Sequence, residues 1–162
     1  MTVIERLRYR SYDASDPDDF RPGSTWAMAC DPARADGAYV RDLAVTVDIV
    51  APGDRVPLHT HPIDEVVLVE DGTAEFVLGT ETWIVEPGAV AFVPAGIPHG
   101  ARAGSSAPVR FLGIFPSTRI GIELLERNPA PGTEGSRPQP PYVLDVRGEL
   151  AATEGLEKTD RG

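Results

Sequence analysis

The chain has 162 residues, about one domain's worth, and its 41% hydrophobic and 25% charged residues allow a buried core. A formal net charge of −10 repels phosphate backbones and anionic lipid, so it argues against a nucleic-acid binder and a membrane docker. One cysteine, Cys30, forbids an internal disulfide and a cysteine-based metal cluster, and a charged N-terminus without an apolar stretch fits a cytoplasmic protein.

Sixteen glycines and sixteen prolines suit many short elements joined by tight turns. Residues 1–24 read as an N-terminal arm, with a strand-like stretch Leu7–Tyr12 and then an acidic, proline-containing loop from Asp13 to Pro22. Residues 25–118 read as β-structure, and the strand candidates are Ala38–Val50, Glu65–Val69, Thr73–Leu78, Thr82–Val85, Val90–Val93 and Val109–Phe115. Turns at Pro52-Gly53, Asp71-Gly72, Gly79, Pro87-Gly88 and Pro94-Ala-Gly96 separate them. Short strands at this spacing predict an all-β sandwich or barrel. Residues 119–162 read as a C-terminal arm. Ile120–Arg127 is its one short helix, stopped at Asn128-Pro129, and a proline-rich extension follows. Tyr142–Val146 reads as a short strand and the last dozen residues as a polar tail. The acidic patches Asp13–Asp19 and Glu154–Asp160 read as solvated loops. The only lysine, Lys158, lies in the tail, which argues against Schiff-base chemistry.

All three histidines fall in one constellation. His59 and His61 lie two apart in an extended segment and so share a face, Glu65 opens the next strand, and His99 follows Pro94-Ala-Gly-Ile-Pro98. Three imidazoles and a carboxylate converging inside a β-barrel make a mixed nitrogen and oxygen site for one divalent transition metal. Iron, manganese, nickel, cobalt, copper and zinc all accept that set. Four protein ligands leave one or two positions of such an ion for water, oxygen or substrate.

The pattern Gly53-x5-His59-x-His61-x3-Glu65-x6-Gly72 resembles the first motif of the cupin family at every fixed position. Gly88-x5-Pro94-x-Gly96-x2-His99 resembles the second through its histidine, with fifteen residues, Thr73–Pro87, between the motifs. The family's second motif ends in Asn four residues after the histidine, where this chain has Ala103. The resemblance spans residues 40–115. It implies a single jelly-roll barrel of six to eight strands with His59, His61, Glu65 and His99 as metal ligands.

Alternation predicts the rest of the cavity. Val67 beside Glu65, Ala101 and Ala103 beyond His99, and Phe111, Gly113 and Phe115 on one strand face inward, while Trp26 and Met28 either line the mouth or pack in the core. No second inward carboxylate and no inward arginine or lysine is evident. The expected ligand is therefore a small, moderately apolar organic molecule that offers oxygens to the metal. The expected function is a metal-dependent enzyme, first of all a dioxygenase, with Glu65 as the catalytic base. The alternatives are a Lewis-acid isomerase, decarboxylase or polyketide-type cyclase, and a non-catalytic binding protein. Leu112 and Ile114, apolar on the outer face of their strand, point to a homodimer.

Overall fold

In the structure of this protein, a computed structural model, residues 3–31 and 39–149 are described. Alternating side chains build two antiparallel sheets. The first contains β1 (Arg10–Ser11), β2 (Thr25–Cys30), β3 (Ala44–Val50), β5 (Glu65–Asp71), β8 (Val90–Val93) and β10 (Val109–Phe115), in the order β1-β2-β3-β10-β5-β8. The second contains β4 (Arg55–Thr60), β6 (Ala74–Leu78), β7 (Glu81–Val85), β9 (His99–Ala103), β11 (Arg119–Leu124) and β12 (Tyr142–Asp145), in the order β12-β11-β4-β9-β6-β7. This is the expected all-β jelly-roll barrel, with twelve strands among the described residues rather than six to eight, in part because the arms lengthen both sheets through β1, β11 and β12.

The inward phase of β10, β5 and β9 is as predicted: Val109, Phe111 and Phe115, Glu65, Val67 and Val69, and His99, Ala101 and Ala103 are all buried. One closed end of the barrel is filled by Val50, Val69, Ala74, Phe76, Ala103, Val109 and Phe111. A second apolar cluster joins Met28, Cys30, Ala44, Phe115, Ile120 and Val146. Gly72, at φ +78, closes the β5–β6 hairpin, and a Cβ there would fall 2.2 Å from the carbonyl oxygen of Pro108. No other residue fits that turn.

The helix expected at 120–127 is a strand. Ile120, Ile122 and Leu124 alternate with Gly121 and Glu123, a period of two that β-branched side chains favour, and β11 finds partners on both sides in β12 and β4. Among the described residues the helical ones are instead 146–149, directly after β12. The acidic loop is likewise more than a solvated one. Asp18 is 1% exposed, bonded to the Arg127 guanidinium and to the backbone N–H of Gln139 at 2.7 Å, so it ties the N-terminal arm to the proline-rich extension. Ala38, the polar tail with Lys158, and the Glu154–Asp160 patch lie outside the described residues. Among the described residues no helix is long and apolar enough to cross a membrane.

Candidate metal centre

His59 and His61 owe their aim to an irregularity in β4. Between Val56 and His59 the pairing with β9 gains one residue, a bulge that holds Pro57, whose missing N–H leaves no ladder donor to satisfy. Gly100 faces the bulge, where a Cβ would lie 2.9 Å from the carbonyl oxygen of Val56 and 3.2 Å from that of Pro57. Beyond the bulge the rings of His59 and His61 stand 4.8 Å apart, edge to face. β9 brings His99 to 4.2 Å from the ring of His59 and 5.1 Å from that of His61. Glu65, first residue of β5, reaches across with Oε2 at 2.9 Å from His99 Nε2 and 3.4 Å from His61 Nε2.

Each imidazole spends its Nδ1–H on a backbone carbonyl. His59 donates to Pro57 at 2.8 Å, His61 to Gly121 at 2.7 Å and His99 to Ile97 at 3.0 Å. A carbonyl only accepts, so these bonds fix all three rings in the Nδ1–H form and turn three Nε2 lone pairs toward the carboxylate. The interior of the cluster is then built of acceptors alone. Such a set is balanced by a cation, and carbonyl-bonded Nδ1–H groups are the usual orientation of metal-binding histidines. One donor atom from each of the four residues lies within 4.8 Å of the others. Donors held about 2.0–2.2 Å from one ion sit roughly 3–4.4 Å apart, so a small contraction suffices. The residues fit a divalent transition ion.

Electrostatics keep His59 and Glu65 unprotonated. Burial, reinforced by His99 and His61 as potential like charges, holds His59 down at about 3. Burial alone would raise Glu65, but the His61 and His99 rings set against its Oε2 outweigh that and bring it down to about 2. Gly113 makes the space for this carboxylate, because a Cβ there would meet Glu65 Oε1 at 2.6 Å and Thr46 Oγ1 at 2.7 Å.

The cluster opens into a cavity of about 460 Å³. Of the predicted wall, Val67, Ala101, Phe111, Phe115 and Trp26 line it. Ala103 does not: it sits one rung deeper, in the closed end with Val50 and Val109. Met28 packs against Phe115 and Ile120 in the second core cluster, and the place of a Gly113 side chain is taken by Glu65 and Thr46. Several lining residues escaped sequence reasoning. Tyr12 and Arg21 come from the N-terminal arm, and Ile120, Ile122 and Leu124 from the segment expected to be helical. Asp48 on β3 is an inward carboxylate, and Arg21 an inward arginine, that alternation had not revealed; Asp13, Asp16 and Asp19 of the N-terminal arm line the cavity as well. The signal for Asp48 was present in the register: β3 pairs with β10 so that Asp48 opposes Phe111 and Thr46 opposes Gly113, and opposed residues share a face.

A family model described as a cupin domain matches residues 46–115. An uncharacterised protein of Streptomyces coelicolor is 36% identical over 72 residues, which cover 41% of this chain and 69% of that protein. Among solved structures, the polyketide cyclase RemF from Streptomyces resistomycificus aligns with a TM-score of 0.63 at 22% identity, over 85% of this chain and 94% of that one. A mutant of the Bacillus subtilis oxalate decarboxylase OxdC aligns with a TM-score of 0.55 at 23% identity, over 68% of this chain and 30% of that one. At these identities the two structures speak for the fold alone.

Proposed function

The chain belongs to the cupin family, and from that premise we propose that it is a metal-dependent enzyme acting on a small, largely apolar organic molecule that offers oxygens to the ion. His59, His61, Glu65 and His99 would hold the ion. The observation that carries this reading is the trio of Nδ1–H bonds to Pro57, Gly121 and Ile97, which commits every inward atom of the cluster to accepting. When bound, a divalent transition metal supplies a Lewis acid that polarises a ligand oxygen.

The chain's own residues do the rest. Trp26, Phe76, Phe111, Phe115 and Ile122 offer a planar ligand apolar contact and exclude water. Glu65, with Oε2 engaged by His61 and His99, stands as the carboxylate nearest the ligand's metal-facing end. A dioxygenase is one form of this reading. The oxygen-free form (an isomerase, decarboxylase or polyketide-type cyclase) is favoured by a specific feature, a strand-borne carboxylate besides Glu65, Asp48, on the same cavity wall, since proton transfer uses paired acid and base groups. A homodimer belongs to the same reading. Val90 and Phe92, 49% and 72% exposed, continue the outer face that carries Leu112 and Ile114.

Protein purified without added metal is expected to carry close to one transition ion per chain by elemental analysis. Finding none, with His59→Ala changing nothing, ends the metal reading. Oxygen uptake with catechols, flavonols and 1,3-diketones marks the dioxygenase form, and turnover of such compounds under argon marks the oxygen-free one. Saturable binding without turnover in both gases reduces the protein to a binding module.

A further inference from the structure

Inward carboxylates are costly unless something holds them, and the surroundings of Asp48 are built to do so. On one rung of the first sheet Asp48 stands between Trp26 of β2 and Phe111 of β10. Its Oδ1 accepts a hydrogen bond from the Tyr12 hydroxyl and faces Arg21 Nη1 at 3.4 Å. Arg21 is itself fixed. Its Nε and Nη2 donate to Asp19 at 2.7 and 2.5 Å, and its guanidinium lies 3.7 Å over the Tyr12 ring. Both groups that hold Asp48 come from the N-terminal arm laid across the barrel mouth.

The other oxygen is different. Among the described residues no hydrogen bond reaches Asp48 Oδ2, and the side chain, 23% exposed, opens onto the cavity. Arg21 is already balanced by Asp19 and Asp48, so this corner carries no surplus positive charge to attract an anion. What it lacks is a donor. Burial raises the carboxyl of Asp48, with Arg21 and Tyr12 opposing, so a ligand that donates a hydrogen bond there also relieves the strain of an ionised buried group. Asp48 lies two residues along β3 from Thr46, which shares a rung with Gly113 beside Glu65, a separation of roughly 7 Å.

We propose that Asp48, positioned by Tyr12 and Arg21, is a second polar subsite of the cavity that binds a phenolic or enolic hydroxyl at the far end of a planar ligand whose near end faces the histidines. The inference rests on the metal-dependent reading above and narrows its substrate class to polyhydroxylated aromatic or pre-aromatic molecules about two fused rings long. Trp26 and Phe111 flank the ring system, and Asp48 Oδ2 accepts the distal hydroxyl.

Calorimetric titration of zinc-loaded protein with naphthalene-2,3-diol and its 6-hydroxy and 6-methoxy derivatives tests this. The 6-hydroxy compound is expected to bind about tenfold tighter than the 6-methoxy compound, which cannot donate. Asp48→Asn keeps an acceptor for Tyr12 and Arg21 but turns an N–H₂ into the cavity. It is expected to abolish or reverse that ratio while the affinity for the diol stays within about twofold. Tyr12→Phe, which releases the carboxylate from one of its two holders, is expected to lower the ratio in the same way with the diol again unaffected. Equal affinities for hydroxy and methoxy compounds in the native protein, or an unchanged ratio in Asp48→Asn, overturn the subsite. Diol binding that is indifferent to zinc, with the hydroxy preference intact, leaves the subsite standing and fells the metal reading. No binding of any of the three compounds fells both.

Discussion

The two polar ends of the cavity are assembled by different means. At the histidine end each ring is locked by a backbone carbonyl, from Pro57, Gly121 or Ile97, so the strands themselves set the geometry. At the other end Tyr12, Arg21, Asp19 and Asp48 hold one another through side chains, and three of the four arrive on an arm outside the matched family region. The first arrangement depends on a bulge, a turn and, for His61, on a carbonyl of β11. The second depends on the arm staying docked, through the Asp18–Arg127 and Asp18–Gln139 bonds among others. A scaffold that fixes the histidine end by its backbone leaves the far end of the cavity to be set by replaceable side chains, which is where ligand choice is most easily altered.

Three substitutions separate the two ends. His99→Ala removes one of the four inward donors and is expected to weaken zinc binding by about a hundredfold or more in a chelator-competition titration, whereas Asp48→Asn leaves it unchanged. Equal losses in both variants would mean that the ends are one site. Gly113→Ala introduces a Cβ that meets Glu65 Oε1 at 2.6 Å and Thr46 Oγ1 at 2.7 Å. It is expected to cost about 1–3 kcal/mol of stability and roughly tenfold in zinc affinity, read by denaturant unfolding and by the same competition. Unaltered zinc affinity in this variant would show that Glu65 is not held against the histidines by that wall.

The smallest effect concerns pH. Asp48 has its folded-state value raised, with burial as the main cause, so ionising it costs the folded state. The native chain therefore loses stability relative to Asp48→Asn as pH rises from the normal aspartate range, near 3.9, through the raised value, and the difference vanishes below that range. The thermal midpoint of Asp48→Asn is expected to match the native one near pH 4 and to stand slightly above it at pH 7. A variant that melts lower at pH 7 would show instead that the carboxylate is a net structural support.

The histidine end could be read along the chain because its four residues stand at the spacings of the two cupin motifs, and some of those spacings have a mechanical meaning: two residues apart for one strand face, a proline to leave the ladder, a glycine to close the hairpin. The Asp48 end could not. In β3 the residues Val45, Val47 and Ile49 point outward while Thr46 and Asp48 point inward, the reverse of the phase that hydrophobicity alone implies. Only the pairing with β10 fixes it, and Val47, although outward, is 1% exposed. The same dependence explains β11, where the apolar residues of 120–127 satisfy a short helix as well as a strand until β4 and β12 supply ladder partners.

What the sequence by itself determined was the β-architecture and the inward phase of β5, β9 and β10, consequences of local periodicity and turn chemistry, and, through the resemblance to the two cupin motifs, the identity of four side chains that meet. What only the tertiary structure decided was the register of β3, the strand state of β11 and the arm's delivery of Tyr12 and Arg21 to Asp48. The physical reason is that hydrogen bonds and side-chain contacts between segments far apart in the chain have no local signature. They exist only once the strands have chosen their neighbours.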